Sequence, residues 1–176
     1  EAGQAALFTV YPEASLVNRE WRVYVRQSFS GSDNNNGRIY LTALTVPAAA
    51  DGNDAAGAQG YFLRLGEAGS DDAIHLYRDD NTGDAPALIA SGTPGLVSSS
   101  LELGLRILRD DAGNWQVWAD DSGGTDYVLE ASGTDATYTT SVATGVLCTY
   151  TSSNADNFFY DDWFFGDEEV DETAPE

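Results

Sequence analysis

The sequence predicts an all-β domain built as a sandwich of two antiparallel sheets. Short runs rich in Val, Tyr, Phe, Leu and Trp alternate with clusters of Gly, Asp, Asn and Ser, the pattern of strands joined by turns. No segment of the sequence carries a sustained 3.6-residue apolar repeat, which would indicate a helix. The length of 176 residues suits one domain with a full two-layer core. Many short strands with short connections are typical of a sandwich.

Strands are predicted wherever such runs occur between turn signals. In 21–29, WRVYVRQSF, one face carries apolar side chains and the other carries Arg22, Tyr24 and Arg26. The predicted strands are 6–10, 21–29, 37–44, 60–66, 73–78, 86–91, 100–109, 114–119, 126–131, 143–151 and 157–165. The predicted core-facing residues in 21–29 are Trp21, Val23, Val25 and Phe29.

The segment 100–119 is predicted to form a β-hairpin. In LELGLRIL the apolar residues recur at every second position, so they share one face. The link RDDAGN, 109–114, supplies Asp and Gly for the turn, and NWQVWAD returns. The predicted core-facing residues are Leu101, Leu103, Leu105, Ile107, Trp115 and Val117.

The charge balance is strongly acidic. There are 29 acidic residues against 8 basic ones, a net charge of −21, and every basic residue is arginine. Without a basic patch the surface repels nucleic acid and anionic membranes. Two interpretations compete: adaptation to high salt, where screening removes self-repulsion, and collection of divalent cations. The absence of lysine throughout the chain favours adaptation to high salt.

The sequence contains a single cysteine and no long apolar run. Cys148, within GVLCTYT, has no partner for a disulfide and is predicted to be a buried small side chain. No apolar run is long enough for membrane insertion.

The opening EAGQAAL lacks Met, so we interpret the chain as a processed or excised piece. The acidic loop 45–59 is predicted to be an insertion, and 167–176 an acidic tail or linker.

Four stretches in order carry a family resemblance: REWRVYVRQSFSGSDNNNGRIYLTA, GYFLRLGEAGSDDAIHLYRDD, LRILRDDAGNWQVWADDSGGTDYV and NFFYDDWFFGD. Over about residues 19–167 the chain resembles a concanavalin A-like (laminin G-like) jelly-roll module of large secreted surface proteins of Bacteroidota and related bacteria. The resemblance implies a jelly-roll sandwich over 1–166, a secreted or cell-surface location, and other domains of the same polypeptide as partners.

The same resemblance implies an additional first strand. Such modules usually begin with a strand rich in Asp and Phe that pairs near the final strand. The opening EAGQAALFTVYPEAS does not contain it. We therefore expect this strand to be truncated here or supplied from elsewhere, which would leave a sheet edge open to pairing.

The stretch NFFYDDWFF, 157–165, places two adjacent carboxylates inside an aromatic strand. Regular alternation puts Asp161 on one face and Asp162 on the other, so one carboxylate should face the core. A buried carboxylate must be paired, protonated or bound to a metal. The resemblance implies a structural Ca²⁺ held by an Asp of the last strand, which makes both residues candidate metal ligands. The alternative is hydrogen bonding to backbone N–H groups or an arginine.

Aromatic and arginine residues off the predicted core face suit carbohydrate binding. Aromatic rings stack on sugars, and arginine holds their hydroxyl groups. The alternative is cross-strand pairing of arginine with acids and tyrosines on a solvated sheet. The candidate carbohydrate-binding residues are Tyr24, Tyr40, Tyr77, Trp118, Arg26 and Arg78.

Three functions are therefore open. We favour a non-catalytic binding or adhesion module of a larger surface protein, with polysaccharide as its candidate ligand. The alternative is a structural spacer or assembly domain without a small ligand. Glycoside hydrolysis is the third. The nearest string to a glucanase carboxylate motif, EVDE at 169–172, lacks the final Glu, and His75 has no nucleophile motif near it.

Overall fold

The computed structural model describes residues 1–46, 58–69 and 71–168, and in this part of the chain the regular elements are all β-strands. Each predicted strand is present, with ends that move by a few residues. No helix in the described residues could span a membrane. Most of the predicted insertion and of the predicted acidic tail lies outside the described residues. The strands are β1 (Gly3–Glu13), β2 (Arg19–Gln27), β3 (Asn36–Ala43), β4 (Gly60–Leu65), β5 (Ile74–Asp79), β6 (Ala87–Ser91), β7 (Leu101–Arg109), β8 (Asn114–Asp120), β9 (Val128–Thr134), β10 (Ser141–Tyr150) and β11 (Phe158–Asp167).

The strands form two antiparallel sheets. The six-stranded sheet has the order β1-β10-β3-β4-β5-β6, and the five-stranded sheet has the order β11-β2-β7-β8-β9. The predicted hairpin is the β7–β8 pair, in which Ile107 lies opposite Val117. The predicted all-β sandwich of two antiparallel sheets is confirmed.

The main core lies between the sheets and centres on stacked aromatic rings. The Trp21 ring stacks on Phe165 at 4.8 Å and on Trp115 at 5.5 Å between ring centroids. The Trp21 indole N–H donates to the Leu41 carbonyl across the sandwich at 2.8 Å, so the ring also joins the two sheets. All the residues predicted to face the core in β2, β7 and β8 are buried. Cys148 is also buried, as predicted, and burial raises its pKa to about 11.

A second apolar cluster lies on the outer face of the six-stranded sheet. The prediction that Tyr40 is on a solvated face is wrong, because Tyr40 is 0% exposed. Its ring lies 5.2 Å from Phe8 and 5.2 Å from Phe62, and Phe62 stacks on Tyr77 at 5.5 Å. Alternation placed Tyr40 correctly away from the main core, but two rings of the same sheet cover it: Phe62 on the adjacent β4, and Phe8 on β1, which reaches Tyr40 across Gly145 of β10.

The final strand contains a bulge that overturns the predicted alternation. Asp161 pairs with Tyr24 and Phe164 pairs with Arg22, so two residues of β11 face one residue of β2. Asp162, inside the bulge, has a φ of 51°. The bulge reverses the order of faces, so that Trp163 packs against the main core and both carboxylates are exposed. The expectation of one inward-facing carboxylate is therefore wrong.

The two chain-terminal strands lie at sheet edges. β1 pairs with β10 at one edge of the six-stranded sheet. Among the described strands, β11 pairs only with β2. The additional strand expected near β11 therefore stays a prediction.

Candidate functional site

A row of four side chains crosses the outer face of the five-stranded sheet. The register pairs Phe164 with Arg22, Arg22 with Arg106, and Arg106 with Trp118. Because directly opposite residues project to the same side of a sheet, the row runs across β11, β2, β7 and β8. Along each strand, the residue that belongs to the row lies between apolar residues, and those apolar residues face the core.

A buried carboxylate holds the two arginines of this row. Glu20 is 1% exposed, and its oxygens accept from Arg106 at 2.9 and 3.2 Å. The Arg22 Nε lies 3.2 Å from the same carboxylate, and the Arg22 guanidinium lies 4.3 Å from the Phe164 ring centre. The hydrogen bond from Arg106 to Glu20 raises the pKa of Arg106. Both guanidiniums are thus held by a common carboxylate partner.

A cleft of about 350 Å³ opens beside this row. β2 and β7 contribute its base, the loop between β8 and β9 forms one side, and the β11 bulge forms the other. We call it the cleft. It is lined by Arg22, Val23, Tyr24, Gly104, Gly123, Gly124, Thr125, Tyr127, Asp162 and Phe164.

The loop side of the cleft is anchored by Asp120, at the end of β8. Its carboxylate accepts from the Ser122 amide at 2.8 Å, the Ser122 hydroxyl at 2.6 Å and the Asp126 amide at 2.8 Å. The hydrogen bonds from Ser122 are the main cause that lowers the pKa of Asp120. The loop also lies directly on β7, since a Cβ at Gly104 would be 1.9 Å from the Gly124 carbonyl oxygen. This side of the cleft is therefore preformed.

Tyr24 supplies an aromatic ring at the base of the cleft. Its hydroxyl donates to Glu102 at 2.8 Å, and this hydrogen bond raises the pKa of Tyr24. Tyr127 and Phe164 add two partly buried rings, and Asp162 adds an exposed carboxylate. Rings that contact apolar C–H faces, together with a guanidinium and a carboxylate that hold hydroxyl groups, form a site suited to a polyhydroxylated ligand.

Three of the predicted carbohydrate-binding residues share this outer face. Tyr24 lines the cleft, and Trp118 lies at the end of the row described above. Arg26 lies on the same face, with its guanidinium 4.1 Å from the Phe159 ring centre. Tyr77 is instead on the six-stranded sheet, partly buried, with its hydroxyl 2.6 Å from Glu67. Together with buried Tyr40, it is separated from the cleft by the whole sandwich.

Arg78 is held in a polar network at the end of the sandwich. Its guanidinium bonds to Asp80 at 2.8 Å and forms an ion pair with Asp135, and these contacts raise the pKa of Arg78. It projects to the opposite side of β5 from its neighbour Tyr77, so the two cannot contribute to one sugar platform. The assignment of Arg78 as a carbohydrate-binding residue stays a prediction.

The two carboxylates beside Arg78 are adapted to remain charged. The hydrogen bond from Arg78 is the main cause that lowers the pKa of Asp80. Burial alone would raise the pKa of Asp135, but hydrogen bonds from Tyr61 and Thr137 lower it overall. Both carboxyl groups therefore favour the charged form, whereas the general acid of a glycosidase has a raised pKa.

The proposed metal ligands lie on the exposed bulge. Asp161 Oδ1 accepts from the Asp162 amide at 2.9 Å, a local contact. In residues 1–46, 58–69 and 71–168, no group of three or more His, Cys, Asp or Glu side chains is placed to hold a metal ion. Ca²⁺ takes about 6–8 oxygen ligands, which include backbone carbonyls and water as well as carboxylates, and the metal assignment of Asp161 and Asp162 stays a prediction.

The sequence interpretation missed three parts of the cleft. The sequence pattern places Phe164 only within an aromatic strand, and it gives no signal at Tyr127. The string DDSGG, 120–124, predicts a turn. No local pattern shows that this turn packs against Gly104, which belongs to another strand. The one available signal is that Gly104 interrupts an otherwise bulky strand, which is typical of close backbone approach.

No protein-family model matches the chain, and no curated protein matches it. Solved structures do match in shape. The VIP36 exoplasmic/lumenal domain in its Ca²⁺/Man3GlcNAc-bound form has a TM-score of 0.65 at 13% identity, covering 98% of this chain and 77% of that one. The metal-free Emp46p carbohydrate recognition domain has a TM-score of 0.62 at 14% identity, covering 94% and 77%. CG-16, a homodimeric agglutinin from chicken liver, has a TM-score of 0.50 at 10% identity, covering 92% and 99%.

These similarities concern the fold, since identities of 10–14% carry no site residues with them. Each of the three structural matches covers 92–98% of this chain. The predicted jelly-roll architecture is thereby confirmed: the chain has the lectin-like jelly-roll sandwich fold.

Proposed function

We propose that this chain is a non-catalytic glycan-binding module and that the cleft on the five-stranded sheet holds the sugar. The observation that carries the proposal is the preformed cleft, in which the Tyr24, Tyr127 and Phe164 rings lie beside Arg22 and Asp162. A pyranose has apolar C–H faces and hydroxyl groups at its rim. It would place a face against a ring and its hydroxyl groups against the guanidinium and carboxylate.

The similar solved structures support the ligand class. They are named as a carbohydrate recognition domain, an agglutinin and a lumenal domain with a bound mannose oligosaccharide. None is named as an enzyme. We further propose an extracellular location, within a larger surface protein that contains other domains, as the family resemblance implies.

A structural spacer is the second candidate function. The observation that favours it is that Arg22 and Arg106 are both paired to Glu20, so their charge is partly satisfied without a ligand. The two functions differ in one measurable respect, since a spacer binds no glycan in the cleft.

The test is a broad glycan array probed with the chain in high salt with calcium present, followed by titration of the best glycan against two variants. Phe164 and Phe159 both lie in β11 beneath an arginine, at 4.3 and 4.1 Å. Phe164 lines the cleft and Phe159 does not. With aromatic stacking contributing about 0.5–1.5 kcal/mol, Phe164→Ala should weaken binding roughly 2- to 12-fold, and Phe159→Ala should leave it unchanged.

Equal melting temperatures for the two variants would show that binding, and not folding, separates them. Absence of binding to any glycan would overturn the proposal in favour of the spacer. Equal weakening by both substitutions would place the sugar elsewhere on β11 and would also contradict the proposed cleft.

A further inference from the structure

Arg38, on the outer face of the six-stranded sheet, has an incompletely satisfied guanidinium. The central carbon of the guanidinium, Cζ, lies 5.2 Å from the Phe62 ring centre, and the Nε atom is buried without a hydrogen-bond partner. Within the described residues it makes no ion pair with a carboxylate, although the chain has 29 acidic residues. A buried donor left without an acceptor has lost its hydrogen bonds to water without replacement, so this geometry needs an explanation.

The neighbouring strands increase the local positive charge. The register places Arg38 directly opposite Arg64, and Arg64 directly opposite His75. Like charges opposite each other destabilise a sheet. Arg64 is compensated, since its guanidinium lies 2.7 Å from Asp33 and 3.8 Å from Glu67. Arg38 has no such compensation among the described residues.

One further buried polar atom on this face, the His75 Nδ1, lacks a hydrogen-bond partner in the described residues. His75 is 4% exposed, and its Nδ1 makes no hydrogen bond within the described structure, although it lies 3.5 Å from Glu67. Glu67 already accepts from Tyr77 at 2.6 Å. The Tyr40 hydroxyl, two residues from Arg38, is buried beside the Arg38 guanidinium, whose charge and hydrogen bond lower the pKa of Tyr40 against the larger effect of burial. Within the described residues, Arg38 Nε and His75 Nδ1 are therefore two buried polar atoms of this face without a hydrogen-bond partner.

We propose that Arg38 is the centre of an oxyanion-binding site, which takes the carboxylate or sulfate-ester group of an acidic sugar. Both groups present oxygen atoms that match the parallel N–H donors of a guanidinium. The partly buried Tyr77 ring, stacked on Phe62, provides an aromatic surface on the same face. The site lies across the sandwich from the cleft and does not depend on it.

The test is nuclear magnetic resonance of the ¹⁵N-labelled chain, following the arginine Nε–H signals. Sodium sulfate and sodium glucuronate are titrated separately at a constant ionic strength of about 1 M, set with NaCl, so that screening does not change. Arg26 is the matched control, since its guanidinium also lies over a ring, at 4.1 Å from Phe159. Arg38→Gln and Arg26→Gln assign the two signals.

We expect the Arg38 signal to shift and saturate while the Arg26 signal does not move. A response to glucuronate alone identifies a carboxylate source, a response to sulfate alone a sulfate ester, and either supports the site. No saturable shift, or equal shifts at Arg26, overturns it. The wild-type titration decides the question even if Arg38→Gln fails to fold. Phe164→Ala should retain the Arg38 response, which separates this proposal from the proposed function.

Discussion

Gly104→Ala tests whether the loop beside the cleft is held directly on the sheet. A Cβ at this position would lie 1.9 Å from the Gly124 carbonyl oxygen, which is backbone and cannot rotate away. The two segments must separate by at least about 1.1 Å before the contact reaches 3.0 Å, the lower limit for a Cβ. The loop is tied to β8 through Asp120, so the movement opposes that anchor.

Overpacking of this kind costs about 1–3 kcal/mol. For a domain of this size we therefore expect the melting temperature of Gly104→Ala to fall by roughly 2–12 °C. Gly3→Ala is the matched control, because its added Cβ would lie 3.5 Å from the Tyr150 hydroxyl, an ordinary contact. We expect that variant to change stability by less than about 0.5 kcal/mol.

Calorimetry measures the melting temperatures, and the backbone amide signals in nuclear magnetic resonance spectra show which residues change their surroundings in the variant. The shifts caused by Gly104→Ala should concentrate in 121–127, and glycan affinity should fall because the side of the cleft has moved. If Gly104→Ala has the melting temperature of the wild type and its amide signals for 121–127 are unchanged, the packing of the loop on Gly104 is refuted.

Two further predictions concern charge. The melting temperature should rise with NaCl, since screening reduces repulsion in a chain of net charge −21; a flat curve between about 0.1 and 2 M would contradict adaptation to salt. Asp135 has a pKa that, despite burial, is lowered in the folded state, so its stabilisation is present above the unfolded value of about 3.9 and is lost as pH falls. Asp135→Asn should therefore cost about 2–3 kcal/mol at pH 7 by loss of charged hydrogen bonds, and calorimetry at about pH 3 should show a smaller difference from the wild type; an equal difference at both pH values would argue against this linkage.

Much of the fold was predictable because strand periodicity is a local property. Where alternate residues are apolar, as in β2 and β7, one face must leave water and the strand is identified together with its orientation. The hairpin of β7 and β8 follows because its turn residues stand between two such runs. The same local pattern explains why Cys148, within an apolar run, was correctly predicted to be buried.

The candidate site was only partly predictable. Tyr24 and Trp118 could be placed off the core face, but alternation cannot say which sheet a strand joins or which residue lies opposite. It therefore grouped Tyr77 with residues that the sandwich keeps apart. For Tyr40, it identified the face but not the covering rings of Phe8 and Phe62.

The final strand shows where local information ends. Its composition alone determined that NFFYDDWFF is a strand, and that two carboxylates there require a special explanation. Only the pairing with β2 decided that a bulge turns both Asp161 and Asp162 to solvent, with Asp162 beside the cleft. Side-chain direction within a strand follows from adjacent residues, whereas register, bulges and opposing loops are set by which distant segments pack together.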